Sequence, residues 1–138
     1  MVRGKWYPMG ADIALPVSVR ERVFGRGRDP LDDEAWQVAV FDEGAAVGCA
    51  RLWWRDGAFW LGDVGVLESR RGQGYGDLLV RLLLFKALTH NASVIRLEAP
   101  DGVRPFFARY GFASDGEGMR LNGADVRLDG CAGCKGCE

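Results

Sequence analysis

The chain has 138 residues, a length that suits one domain with a hydrophobic core. The hydrophobic fraction of 48% and the charged fraction of 27% are ordinary for a soluble globular protein. The formal net charge of −1 argues against nucleic acid or an anionic membrane as a partner, because both attract a strongly basic surface.

The chain opens without the apolar run of a targeting peptide, and no stretch approaches the roughly 20 apolar residues of a membrane span. We therefore expect a cytoplasmic protein. The sequence leaves a homodimer open.

Local patterns in the first quarter are mixed. The segment "KWYPM" predicts a short edge strand, because Pro8 has no N–H to donate to a neighbouring strand. The segment Asp12–Phe24 mixes helix and strand patterns, with Asp12 as a reasonable N-cap and Arg20–Phe24 indicating a helix, and the polar segment Gly25–Glu34 indicates a loop.

Three strand-like runs follow, over residues 35–41, 45–55 and 58–67, with the turn segments "DEG" and "DG" between them. Short turns between neighbouring strands are typical of an antiparallel meander. Cys49 lies inside the second run, so we expect it to be a small core residue.

The second half starts with an apolar spacing that predicts a helix from residue 76 or 77 to about residue 90. A buried strand over residues 93–99, a short helix ending at Gly111, and a hairpin over residues 119–128 turning at Asn122-Gly123 are predicted next. This order predicts a mixed α/β fold with a central sheet covered by helices on its faces.

The segment "RRGQGYG" joins the third strand run to this helix and places Gly72, Gly74 and Gly76 at the helix N-terminus. Glycines let several backbone N–H groups face one ligand, and a helix N-terminus attracts negative charge. Arg70 and Arg71 add positive charge beside them. The pattern fits a phosphate or pyrophosphate cradle, and a flexible turn stays open as the alternative.

Two common phosphate motifs do not fit this segment. A P-loop requires a Lys directly after its last Gly, and none follows Gly76. The dinucleotide fingerprint requires G-x-G-x-x-G after the first strand of a βαβ unit, whereas the spacing here is G-x-G-x-G after a meander strand.

The spacing "RGQGYG" resembles the Q/R-x-x-G-x-G/A motif of the GNAT superfamily of acetyl-CoA-dependent N-acyltransferases. The preceding "VGVLESRR" is similar to the lead-in of that motif, and "PFFARYGF" (Pro105–Phe112) resembles the family's downstream x-F-Y-x-x-x-G-F motif. The strand and helix order matches the family from about residue 5 to 128.

This resemblance implies a GNAT-type fold for residues 1–128. Its central sheet is mostly antiparallel, a parallel strand pair is splayed at the CoA site, and helices flank it. It implies an enzyme that transfers an acetyl group from acetyl-CoA to a primary amine of a small molecule or peptide by direct attack. A non-catalytic acyl-CoA-binding or sensing module and a metal- or redox-linked protein stay open as alternatives.

The family's cofactor contacts map onto the end of the third strand run and onto the glycine segment. The pantetheine arm is expected along the strand, the pyrophosphate on the glycine loop, and the acyl carbonyl near the N–H of Val66. The residues expected to bind the cofactor are Val64, Gly65, Val66, Leu67, Arg71, Gly72, Gln73, Gly74, Tyr75, Gly76, Asp77 and Phe107. Gly65 suits either a bulge that splays the strand or a packing position.

The resemblance also suggests catalytic residues. Asp63 is the candidate base or water-orienting group, with a hydrogen-bonded strand residue as the alternative, and Glu98 is the second choice. The family often carries a Tyr acid where this chain has Phe107. Tyr110, about one helical turn on, is the candidate substitute, with a packing role as the alternative. His90 is expected to cap or solvate the helix end.

The acceptor pocket is not readable from the sequence. The acidic loop "RDPLDDE" offers one attraction for a cationic amine, with a solvated loop as the alternative. Several aromatic residues are candidates for an apolar wall, and they are Trp6, Trp36, Trp53, Trp54, Trp60 and Phe106.

The last ten residues, 129–138, form a Cys/Gly-rich tail with Cys131, Cys134 and Cys137 at C-x2-C-x2-C spacing. Three thiols at this spacing are able to face one zinc ion or an iron–sulfur cluster. A disulfide with one thiol left over, or neither arrangement, stays open, so no metal site is assigned.

Overall fold

The computed structural model describes residues 1–127, so the three tail cysteines lie outside the described residues. The strands are β1 (Val2–Tyr7), β2 (Ala35–Asp42), β3 (Ala45–Arg55), β4 (Ala58–Val66), β5 (Val94–Glu98), β6 (Ala113–Asp115) and β7 (Gly118–Asn122). The helices are α1 (Ala14–Phe24), α2 (Tyr75–Thr89) and α3 (Arg104–Ala108). Within residues 1–127, every helix is too short or too polar to cross a membrane.

Over the described residues, the strands form one seven-stranded sheet in the order β1-β2-β3-β4-β5-β7-β6. Neighbouring strands are antiparallel except β4 and β5, which are parallel. Their pairing is limited to Phe59 with Ile95 and Trp60 with Arg96. Beyond Trp60 the two strands separate, which confirms the predicted fold with its splayed parallel pair.

A β-bulge lies in the part of β4 that has separated from β5. Arg51 of β3 pairs with Gly62, whereas Cys49 pairs with Gly65, so β4 carries one extra residue between these pairs. Asp63 occupies this bulge with a φ of 51°.

Gly65 follows the bulge. Of the two roles expected for this glycine, a bulge or a packing position, it has the second. A Cβ on Gly65 would lie 2.8 Å from the ring of Phe24 in α1. Glycine therefore lets α1 pack directly on the β4 backbone.

Helix α2 covers one face of the sheet. Its buried residues recur at three- and four-residue spacing and pack on the inner strands, and they are Leu79, Val80, Leu83, Leu84 and Ala87. The helix begins at Tyr75, in agreement with the predicted start. Helix α1 packs on β3 and β4. It begins at Ala14, with Ile13 as its N-cap, and Asp12 Oδ1 accepts a hydrogen bond from the Ala14 N–H at 2.9 Å.

The terminal hairpin was predicted at the wrong turn. The observed hairpin joins β6 to β7 through Gly116, which has a φ of 64°. Gly123 instead donates its N–H to the Ser93 carbonyl at 2.8 Å, and a Cβ there would lie 2.0 Å from the Ala92 carbonyl oxygen. The Asn-Gly pair therefore marks a close approach of two backbones rather than a hairpin turn.

Candidate active site

The larger of two adjoining cavities lies between the splayed end of β4, the N-terminus of α2 and α3, with a volume of about 730 Å³. Most of the predicted cofactor residues line it, and they are Val64, Gly65, Val66, Arg71, Gly72, Gly74, Tyr75, Gly76 and Asp77. Phe107 lines the adjoining cavity, and Leu67 and Gln73 line neither. Two separate parts of the predicted site, the strand end and the glycine loop, thus meet at one cavity.

The glycine loop has the geometry of an anion site. Gly72 and Gly74 have φ values of 82° and 87°, in the left-handed region that favours glycine. Gly74 is the N-cap of α2, and no side chain caps this helix end. The first N–H groups of α2 are therefore free of side-chain acceptors, beside Arg70 and Arg71.

Gly76 acts differently from its two neighbours. Its φ lies outside the left-handed region, and a Cβ on it would approach only the Phe106 ring, at 3.5 Å. This glycine is not needed for the backbone conformation, and its missing side chain leaves room in the larger cavity.

Tyr75 and Gln73 hold the loop in place. The Tyr75 hydroxyl donates a hydrogen bond to Asp42 of β2, and Gln73 Oε1 lies 3.2 Å from the same hydroxyl oxygen. The hydrogen bond to Asp42 raises the pKa of Tyr75, with burial adding to the effect. Arg70 Nη1 lies 3.6 Å from the Asp42 carboxylate, so this carboxylate contacts two residues of the loop region.

The main chain of β4 has an unpaired edge at the larger cavity. The parallel ladder to β5 ends at Trp60, so the following residues of β4 lack a strand partner on that side. Leu67 is already paired, because its N–H donates to the Val47 carbonyl at 2.9 Å. Arg71 Nε donates to the Val66 carbonyl at 3.1 Å, which folds this side chain back onto the strand.

The smaller cavity has a volume of about 310 Å³ and shares Phe24, Val64 and Val103 with the larger one. It opens where β4 and β5 separate. Charged groups on its wall come from Arg26, Asp63 and Glu98. The remainder of the wall is apolar and consists of Leu61, Leu97, Pro100 and Phe107 together with the three shared residues and the Gly62 backbone.

Asp63 is held by arginines. Its Oδ1 accepts a hydrogen bond from Arg26 Nη2 at 2.5 Å. Its Oδ2 lies 2.9 Å from Arg51 Nη2, but the alignment is that of an ion pair without a hydrogen bond, and this oxygen is buried. Oδ2 also lies 3.8 Å from Arg20 Nε, so this buried oxygen is held between two guanidinium groups.

Beneath Asp63 lies a buried ionic network that the sequence did not reveal. Arg20 donates to Asp32 and Gln37, and Arg51 donates to Asp29 and Asp32. Burial alone would raise the pKa of Asp32, but hydrogen bonds from Arg20 and the Asp29 backbone, with both arginine charges, hold it well below its ordinary value.

The network also changes the interpretation of the acidic loop. Asp29 and Asp32 point inward to arginines, and Asp33 pairs with Arg28 at 2.8 Å. These three carboxylates are thus already paired, so they offer a cationic acceptor little attraction. The alternative, a solvated loop, does not fit Asp32, because its side chain is buried.

Tyr110 donates its hydroxyl hydrogen to Asp77 Oδ1 at 2.5 Å, and Arg81 Nε donates to the other oxygen of Asp77. Burial and the Asp77 hydrogen bond raise the pKa of Tyr110. Tyr110 lines neither cavity. Its role as general acid stays a prediction, and this role requires the hydroxyl to leave Asp77.

The other aromatic candidates lie elsewhere. Within the described residues, no tryptophan lines either cavity, whereas Phe106 lines the larger one. The ring of His90 stacks on Trp36 with centroids 4.8 Å apart, which places the imidazole away from both cavities. Several wall residues, among them Phe24, Arg26 and Val103, were not predicted from the sequence, because no local pattern separates them from ordinary core and loop residues.

Comparisons with known proteins agree with this geometry. Residues 12–112 match the model of the acetyltransferase (GNAT) family. The chain belongs to the GNAT acetyltransferase family. It is 30% identical, over 102 residues, to the uncharacterized N-acetyltransferase YjcF of Bacillus subtilis, a match that covers 68% of this chain and 73% of YjcF.

Solved GNAT structures share the fold at lower identity. An acyl-CoA N-acyltransferase from Pseudomonas aeruginosa has a TM-score of 0.78 at 21% identity, covering 87% of this chain and 99% of that one. A GNAT acetyltransferase from Brucella melitensis, solved with acetyl-CoA, has a TM-score of 0.69 at 20% identity, covering 88% of each chain.

Family membership confirms that the protein is an acyltransferase enzyme, as the resemblance implied. The uncapped α2 N-terminus and the room at Gly76 fit acetyl-CoA, the co-substrate that the resemblance implies. Among residues 1–127, no group of three or more His, Cys, Asp or Glu side chains is placed to hold a metal ion.

Proposed function

We propose that this GNAT enzyme transfers the acetyl group of acetyl-CoA to a primary amine of a small molecule or peptide by direct attack. The observation that carries the proposal is the meeting of two cavities at Phe24, Val64 and Val103. The larger cavity has the anion-binding loop, and the smaller has carboxylates on its wall. An acyl donor and an amine therefore have separate entrances to one reaction point, where β4 splays from β5.

The chemistry needs few groups. The acceptor ammonium loses a proton, and the neutral nitrogen attacks the thioester carbon. A C–N bond forms, the C–S bond breaks, and the sulfur leaves as a thiolate. The nitrogen then loses a second proton, and the thiolate takes one up, so one proton goes to solvent overall. The N–H of Val66 is the proposed donor to the carbonyl oxygen during attack.

Asp63 is proposed to orient the water that removes the first proton, or to accept that proton itself. Its place on the wall of the smaller cavity supports this role, and Arg26 and Arg51 fix the carboxylate there. Tyr110 remains the proposed acid for the thiolate. A CoA thiolate is also a good leaving group without an acid, since a thiol has a pKa of about 8.5 in water.

A second candidate is a sensor that binds acyl-CoA without turnover. Phe107 favours it, since this buried ring lines the smaller cavity where family members often carry a Tyr hydroxyl. A panel of primary amines with acetyl-CoA, followed by free thiol release, separates the two. We expect amine-dependent thiol release. Saturable acetyl-CoA binding with no thiol release for any amine would favour the sensor.

A further inference from the structure

Of the two carboxylates on the wall of the smaller cavity, one has no cationic partner among the described residues. Arg26 and Asp63 neutralise each other through a hydrogen bond of 2.5 Å. Arg51 lines neither cavity, and it and Arg20 are balanced by Asp29 and Asp32. Glu98, the last residue of β5, is exposed, and its carboxylate makes no hydrogen bond or ion pair with another residue in the described part of the chain. The cavity therefore presents one uncompensated negative charge.

Glu98 lies at the C-terminal end of β5, where this strand has separated from β4. It lines the smaller cavity together with Asp63 and Val64 of the facing strand, and Val64 also lines the larger cavity. Glu98 thus lines the cavity that borders the larger one at Val64.

Apart from these charged groups, the cavity is apolar. Phe24, Leu61, Leu97 and Phe107 supply aromatic and aliphatic walls, and the volume of about 310 Å³ suits a small molecule. A ligand that fills this space buries apolar groups favourably, whereas a second charge at its far end loses hydration without a partner.

We infer that the acceptor is a small primary amine with one positive charge and an apolar body, and that Glu98 is the specificity-determining residue that binds its ammonium. This inference rests on the proposed function and deepens it. Glu98 makes and breaks no covalent bond. It raises the local concentration of the cation and orients the amine, while Asp63 keeps its arginine partners.

Two matched pairs of amines test the substrate class. 2-Phenylethylamine and phenylalanine differ by one carboxylate, and hexylamine and 1,6-diaminohexane differ by one amino group. We expect the monoamine of each pair to have a kcat/KM higher by about tenfold or more, because an uncompensated charge in an apolar cavity is unfavourable. Equal or better turnover of phenylalanine or the diamine would overturn the inference.

Glu98→Gln tests the residue. Glu98 is exposed, so we expect an unchanged Tm, an unchanged KM for acetyl-CoA, and a KM for the preferred monoamine higher by about tenfold. Glu98→Asp keeps the charge and should restore part of this loss. Glu117→Gln, a control at an exposed carboxylate outside the smaller cavity, should leave all three values unchanged.

An unchanged amine KM in Glu98→Gln, with acetyl-CoA bound and turned over, would overturn this inference alone. Failure of the proposed function has a different signature. In that case acetyl-CoA would not raise the Tm of the wild-type protein, or no amine would release free thiol.

Discussion

The hydroxyl of Tyr75 donates a hydrogen bond to the carboxylate of Asp42, and this bond joins the first turn of α2 to the last residue of β2. Asp42 also lies 3.6 Å from Arg70, just ahead of the glycine segment. The C-terminal end of β2 thus positions the loop that is proposed to receive the pyrophosphate.

Replacing Tyr75 by Phe removes this bond and keeps the ring in the core. A hydrogen bond to a charged group contributes about 1.5–3 kcal/mol, and part of this loss should appear as looser loop geometry. We expect the Kd for acetyl-CoA to rise about fivefold, with the amine KM unchanged. Calorimetry checks the first value and steady-state kinetics the second. An unaltered acetyl-CoA Kd would show that Asp42 does not position the loop.

Two glycines of the loop should respond in opposite ways to alanine. Gly74 has a φ of 87°, so Gly74→Ala should lose about 1–2 kcal/mol of stability through backbone strain. Gly76 has an ordinary φ, and a Cβ on it would make only an ordinary contact with the Phe106 ring, so Gly76→Ala should keep or slightly raise the Tm. The new methyl enters the larger cavity, and we expect acetyl-CoA affinity to fall about tenfold or more.

Thermal melts and calorimetry on the two variants check these values, each variant serving as the control for the other. A Gly76→Ala protein with wild-type affinity would mean that the pyrophosphate does not approach this part of α2.

The buried carboxylate of Asp32 should support folding more than any exposed acid. Asp32→Asn leaves Arg20 and Arg51 without their shared anion, and breaking a buried ion pair costs about 3–5 kcal/mol. Urea unfolding at neutral pH measures the loss. Asp33→Asn, at an exposed pair with Arg28, should change stability little. Similar effects from both variants would contradict the account of the network.

The low pKa of Asp32 also predicts how the free energy of unfolding depends on pH in acid. Hydrogen bonds and charges hold the pKa of Asp32 below its unfolded value, so its contribution is fully present above about pH 5 and is lost progressively as the pH falls. The wild-type free energy of unfolding should therefore decline more steeply than that of Asp32→Asn between about pH 5 and pH 2. Parallel curves would show that Asp32 does not titrate differently in the two states.

Tyr110→Phe tests the predicted acid. Removing a general acid should lower kcat by about tenfold or more at unchanged KM for acetyl-CoA. Because burial and Asp77 raise the pKa of Tyr110, its ionisation should not reduce activity below about pH 10. A lower Tm with unchanged kcat would assign Tyr110 to packing and to holding Asp77.

The parts of the fold and of the site that depend on local patterns could be predicted from the sequence. The glycine spacing and the apolar period placed the start of α2 correctly, because helix N-termini have strong local signals. The strand end and the loop were joined through a family resemblance, and the observed larger cavity brings them together. These features involve residues close in sequence.

The remainder depends on contacts between distant residues. Arg51 binds Asp29 across 22 positions and Arg26 binds Asp63 across 37, and no local spacing indicates such pairs. The Asn122-Gly123 signal was misleading because Gly123 approaches the Ala92 carbonyl, a tertiary contact that outweighs the local turn preference.

Whether the glycine loop and the splayed end of β4 bind acetyl-CoA is decided by calorimetric titration of the wild-type protein with acetyl-CoA. We predict saturable binding of one acetyl-CoA per chain, and a Tm that rises with ligand concentration, since binding at 100 times the Kd stabilises the native state by about 2.7 kcal/mol. No heat of binding and an unchanged Tm at high acetyl-CoA concentration would show that the larger cavity is not an acetyl-CoA site.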